Sequence, residues 1–136
     1  MRITLTQCEA EIQRLHDFFQ DWFTGAVAES DAQFQRFAAV MDPAFVIIGP
    51  NGVLTALPAL TKGLRGAHGK QPAIRIWTKH HQLRQQVGDV VLCTYEEWQE
   101  TADGTTARLS SALFRTVHAA PHGVVWLHVH ETWISA

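Results

Sequence analysis

Six polar residues in the second half of the chain have the types and spacing for acid–base chemistry. His128 and His130 alternate with Leu127 and Val129, so on a strand both project to one face. Tyr95 and Glu97 alternate in the same way, and Ser110 and His80 lie in neighbouring extended segments. A carboxyl drawn into a core is pushed up in pKa while an imidazolium beside it is a downward pull, so Glu97 with His80 or His130 forms an acid–base pair. Tyr95 and Ser110 would donate hydrogen bonds to an oxyanion developing on a substrate carbonyl. The chemistry is proton abstraction next to a carbonyl, by an isomerase or a lyase, with Glu97 as base. The competing reading is that Glu97 only satisfies Ser110, His80 or backbone groups in a polar core. His-x-His on a strand also binds metals when a third ligand converges. No His-x-x-x-His or carboxylate-rich motif accompanies it, so no metal is expected. Glycines 49, 52, 63, 66 and 69 form no phosphate loop, and no cofactor is expected.

Composition narrows the setting. The chain has 136 residues, 46% hydrophobic and 18% charged, which fits one domain spanning 1–136 with a substantial core and excludes disorder. Eleven Lys and Arg against thirteen Asp and Glu give a formal charge of −2, against a nucleic-acid partner. No apolar run is long enough to span a membrane, and the N-terminus lacks the apolar stretch of a signal peptide. Cys8 and Cys93 lie far apart and make no metal or disulfide pattern, which fits a reduced, cytoplasmic setting. Eight histidines and five tryptophans point to a concave, aromatic-lined site.

These residues must be positioned by helices in front and strands behind, an α+β pattern. Ile12, Leu15, Phe19, Trp22 and Ala26 make one apolar stripe on a helix from about Thr6 to Ala28, with Thr6 as N-cap and Glu9 as its capping-box partner. Ser30 or Asp31 caps a second helix with Phe34, Phe37, Ala38 and Met41 on its buried face, stopped by Pro43. A short strand at Phe45–Ile48 turns at Asn51-Gly52, and Thr55 caps a third helix from Ala56 to Leu64. Four long strands follow at about 74–85, 90–101, 105–117 and 124–135, joined by short loops as an antiparallel meander.

The turns set the faces. Two-residue turns at Asp103-Gly104 and Gly88-Asp89, with an even loop around His118–His122, predict two rows across the sheet. One is His80, Glu97, Ser110, His130; the next is Gln82, Tyr95, Ala112, His128. The opposite face would carry Trp98, Leu113, Arg115, Val129, Glu131 and Trp133, an apolar face suited to a homodimer interface.

The order of elements, with Asp21-Trp22-Phe23-Thr24-Gly25, Phe45–Gly52, Ser111–Arg115 and Trp126–Trp133, resembles the nuclear transport factor 2-like superfamily, in particular its SnoaL-like bacterial branch. The resemblance covers nearly the whole chain. It implies a cystatin-like cone, three N-terminal helices packed on a curved, mostly antiparallel sheet, with a pocket between them and homodimers common. That scaffold hosts isomerases, dehydratases and non-catalytic assembly domains. Steroid-isomerase relatives carry an acidic donor where this chain has Ala112 and a base near Ile48-Gly49, where this chain has no acid. The expected ligand is a small apolar-to-amphipathic molecule bound by Trp22, Tyr95, Ser110, Phe114, Trp126 and His128, with Trp77 also a candidate for the wall. A non-catalytic ligand-binding or dimeric assembly module is the alternative.

Overall fold

The computed structural model describes residues 1–136 as three helices and six strands. Helix α1 (Leu5–Thr24) starts two residues earlier than the sequence suggests. Thr4 is the N-cap, accepting from the Gln7 amide while the Gln7 side chain accepts from the Thr4 amide. The box is therefore Thr-x-x-Gln, and Thr6 and Glu9 fall within the helix. Gly25 ends α1 with φ 81°, a left-handed conformation that favours glycine. Ser30 caps α2 (Asp31–Ala38) as expected. Met41, assigned from its spacing to that helix, instead opens strand β1 (Met41–Ile48), which pairs with β2 (Leu54–Ala56). Helix α3 (Leu57–Arg65) follows with Pro58 in its first turn but no side-chain cap, so Thr55 does not cap it.

The long strands β3 (Arg75–Val87), β4 (Val90–Thr101), β5 (Gly104–Thr116) and β6 (Val124–Ile134) complete one sheet in the order β2-β1-β6-β5-β4-β3. All pairs are antiparallel except β1 with β6. The core joins α1 and α2 to one face of β4, β5 and β6, with Ile12, Trp22, Phe37, Phe114 and Trp126 almost fully enclosed. This is the expected α+β architecture.

The registers differ from the parity argument in an instructive way. The turn between β4 and β5 centres on Ala102-Asp103, so Tyr95 faces Ser110 and Glu97 faces Arg108, two residues away from the expected partners. A shift of two preserves faces, and Tyr95, Glu97, Ser110 and Ala112 stay on the helix side. The turn between β3 and β4 pairs Val87 with Val90 as predicted, but two bulges in β3 then place Thr78, not His80, opposite Glu97. The loop into β6 also obeys the prediction, pairing Phe114 with Trp126. One residue later Leu113 pairs with His128, so Leu127 is an extra residue on β6. That bulge reverses every following side chain. Val129 and Glu131 turn inward, and His128 and His130 turn out.

Candidate functional site

A cavity of about 180 Å³ lies between the helix layer and the sheet. Phe19 and Phe37 close it from the helices, and Met41, Phe45 and Trp126 from the strands. Its polar side is built by His16, Tyr95, Glu97, Gln99, Arg108 and Glu131. Inward residues of β4, β5 and β6 thus meet one helical histidine.

His16 sits on the buried side of α1, one turn after Ile12. Its Nδ1 is 2.7 Å from the Ile12 carbonyl oxygen, so that nitrogen carries a proton and donates it. Its Nε2 is 3.1 Å from Glu97 Oε1. A bond there needs a second proton, held by the ring or by the carboxyl. Burial disfavours the imidazolium, but the charge and hydrogen bond of Glu97 outweigh it, and the His16 pKa is raised. Burial likewise pushes Glu97 upward, yet His16, Arg108 and the Gln99 amide pull its pKa down to about 2. The Gln99 amide donates to Glu97 Oε2 at 2.7 Å. The pair is therefore imidazolium and carboxylate.

Glu131 behaves oppositely. Burial first, then the neighbouring negative charge of Glu97, raise its pKa to about 7 against the pull of Arg108 and His16. Arg108 Nη1 stands 3.5 Å from Glu131 Oε1, a long contact. Arg108 Nε is buried without a hydrogen-bond partner, as is Ser110 Oγ. Ser110 and Tyr95 are a cross-strand pair whose hydroxyls approach without meeting hydrogen-bond geometry. Burial, then Glu97 and Glu131, keep the Tyr95 phenol far above its usual pKa and so protonated. Two carboxyls on one wall are thus driven apart, one fixed as an anion and one balanced between forms near neutrality.

A third buried carboxyl group, Glu11, backs the cavity. It accepts from Trp126 Nε1 at 2.9 Å and Arg36 Nη2 at 3.0 Å on one oxygen, and lies 3.0 Å from His122 Nδ1 on the other. It locks the indole of Trp126 as part of the cavity wall.

Of the residues expected at the site, Glu97, Tyr95 and Trp126 line the cavity. Ser110 is buried next to it, behind Tyr95. Phe114 packs on Trp126 at 4.6 Å beneath the lining, and Trp22 lies within the core against Phe18 and Phe34, its Nε1 donating to the Leu64 carbonyl. His80 is outside: it occupies the bulge with φ 58°, and its exposed ring meets Glu96 at 2.8 Å. His81 takes the inward position, stacked on Tyr95 with centroids 6.2 Å apart. His128 and His130 leave the site through the Leu127 bulge, and no third metal-ligating side chain converges on them. Trp77 stacks on Trp98 away from the cavity, while Trp133, expected on the outer face, packs its ring on Arg108. Cys8 and Cys93, distant in sequence, meet across α1 and β4 as buried free thiols. Sequence reasoning missed His16, Arg108 and Glu131. His16 had a signal, since it sits among Ile12, Leu15 and Phe19 on the apolar stripe of α1.

Comparison with known proteins agrees with this architecture. The structure matches an NTF2-like protein of unknown function from Pseudomonas aeruginosa with TM-score 0.84 and 25% identity, covering 95% of this chain and 99% of that one. A cystatin-like-fold protein from Caulobacter vibrioides matches with TM-score 0.68 and 14% identity, over 96% of this chain and 89% of the other. The cone is thus the expected NTF2-like fold, with the SnoaL-like branch not singled out. By sequence, sucrose-phosphatase 1 of Nicotiana tabacum is 26% identical over 127 residues, 91% of this chain. The chain spans only 30% of that protein's length. The family model for the sucrose-6-phosphate phosphohydrolase C-terminal region matches residues 9–135, and the chain belongs to that family.

Proposed function

We propose that the chain binds a small molecule in the cone and exchanges a proton with it through Glu131, as an isomerase or lyase does. The observation that carries this reading is a buried carboxyl balanced near pH 7 on the polar side of an otherwise apolar cavity. Such a group takes and returns a proton at little cost. The role of base expected for Glu97 passes to Glu131, because a carboxylate held at about 2 by His16 is a weak base. Glu97 would instead hold Glu131 near neutrality by its charge, and Tyr95 would offer a phenol proton to a ligand oxygen. A cavity of about 150 Å³ holds benzene, so this one suits a molecule of about one ring. A sucrose phosphate, as named for the tobacco relative, has two rings and exceeds it.

The test is exchange of protons next to the carbonyl of one-ring ketones in heavy water, followed by proton NMR. Catalysed exchange that Glu131→Gln abolishes while the ketone still binds supports the reading. Bound ketone with no catalysed exchange would refute proton transfer and leave a binding module.

The outer sheet face favours one addition. Leu109, 44% exposed, stands there with the half-buried Val46, Ile48 and Leu113 beside His128. We propose that two copies pair through this face, which sedimentation of the free chain would test.

A further inference from the structure

We infer that the ligand of this cavity carries a carboxylate that docks on Arg108, which makes the site one for compact monocarboxylic acids of about one ring. The inference rests on the reading of the cavity as a ligand site and names the class of ligand.

Arg108 is the group in the wall whose bonding is least complete. Its side chain is only 15% exposed, and its polar contact is the 3.5 Å approach of Nη1 to Glu131. Nε is enclosed with no partner. Guanidinium remains charged in any protein environment and presents five N–H donors in a fixed fork. A fork so enclosed and so little bonded is set up for an acceptor that is absent from the chain itself.

The fork is also held in place. The Trp133 ring lies 4.8 Å from the Arg108 guanidinium carbon, and Trp133 Nε1 donates to Asn51 Oδ1 at 3.0 Å. This ring contact restrains the guanidinium while leaving its Nε donor unbonded. A planar carboxylate matches such an edge with two parallel hydrogen bonds.

Charge points the same way. The titratable and charged groups facing Glu131 are Glu97 and the protonated Tyr95 on β4, Arg108 on β5 and His16 on α1. His16 and Glu97 cancel each other. Arg108 also draws on Glu97, whose charge His16 already neutralises, so the carboxylate left to balance it is Glu131, which gives up its charge on taking a proton. A bound carboxylate would replace Glu131 as the counter-ion of Arg108, and Glu131 would take one proton from solvent. A phosphate dianion needs a second free cation, and the other one in the wall, His16, is committed. The apolar walls of Phe19, Phe37 and Phe45 then accept the ring of the acid rather than a hydroxylated sugar.

Calorimetric titration with benzoate and with benzyl alcohol, in two buffers of different ionisation enthalpy, tests this. Benzoate is expected to bind at least about tenfold tighter than benzyl alcohol near pH 6.5, and to take up close to one proton per ligand near pH 8. Arg108→Gln should abolish the preference and leave benzyl alcohol binding within about twofold, which also reports that the variant is folded. Arg108→Lys, which keeps charge without the fork, should lose most of it as well. Equal binding of both rings, unchanged by either variant, overturns the carboxylate docking and leaves the cavity reading standing. Benzoate binding that Arg108→Gln does not affect overturns it too. If neither ring binds the wild-type chain, both the docking and the cavity reading fail.

Discussion

His16 and Glu97 meet at 3.1 Å with the other imidazole nitrogen already committed to the Ile12 carbonyl, so the pair can bond only by holding two ring protons or a protonated carboxyl. The shifts of both groups select the ion pair. Nitrogen-15 NMR at neutral pH should therefore find both His16 nitrogens protonated. Glu97 lies below its unfolded value, so its stabilisation is present above about pH 4.5 and is lost as pH falls toward about 2. His16 lies above its unfolded value, so its stabilisation is present below about pH 6.5 and is lost as pH rises through the raised folded value. His16→Gln should cost about 3–5 kcal/mol in urea denaturation, as expected when one partner of a buried pair is removed. Glu97 should then titrate upward by carbon-13 NMR. An unchanged Glu97 titration would dismiss the ion pair.

Glu131 has the opposite linkage to Glu97. Its folded value of about 7 exceeds the reference of 4.5, so the folded state holds more protons between those limits. Stability contributed by this group is complete below about pH 4.5 and declines as pH rises toward 7 and beyond. Glu131→Gln removes the titration. Its stability should exceed wild type by about 3 kcal/mol near pH 8 and match it near pH 4.5. Parallel denaturation curves across that range would show that Glu131 is not shifted.

Glu11 is fully enclosed and tied to α2, to β6 and to the loop before β6 through Arg36, Trp126 and His122. Glu11→Ala strips three partners at once and should destabilise by about 3–5 kcal/mol. Glu11→Gln keeps an acceptor for Trp126 and should cost about half as much. Urea midpoints rank the two, and Trp126 fluorescence should shift in the first variant more than in the second.

His80 carries positive φ at 58°, a conformation costing a non-glycine residue about 1–2 kcal/mol. Its ion pair with Glu96 is exposed and returns little. His80→Gly should raise stability by about 0.5–1 kcal/mol and leave cavity ligands bound as before. A loss of ligand binding would return His80 to the site.

The order of helices and long strands was readable because each rests on local chemistry: an apolar stripe, the Ser30 cap of α2, a Gly-bearing turn. The inward face of β4 and β5 followed, and with it Glu97 and Tyr95. The site residues lost from the inner face of the sheet, His80, His128 and His130, were lost to bulges, while the caps at Thr6 and Thr55, the place of Met41 and the β4–β5 turn were misread locally. An extra residue at Leu127 is set by how the sheet bends over the helices, and Leu-His-Val-His reads identically with or without it. That one residue exchanged the pair His128 and His130 for Val129 and Glu131. His16 was hidden differently, since a polar residue on an apolar stripe gains meaning only once its partner, 81 positions away, is known.

The wall of the cavity is unevenly fastened. Helix α1 is anchored through Glu11 on one flank and by Gln20, which accepts from the Ile76 amide, on the other. Helix α3 presents Leu60 and Leu64 to the same space, yet buries no residue and has no side-chain cap. Local opening begins where packing is thinnest. A ligand is therefore expected to enter the cone past α3, and variants that tighten that short helix should slow its arrival and departure more than they change its affinity.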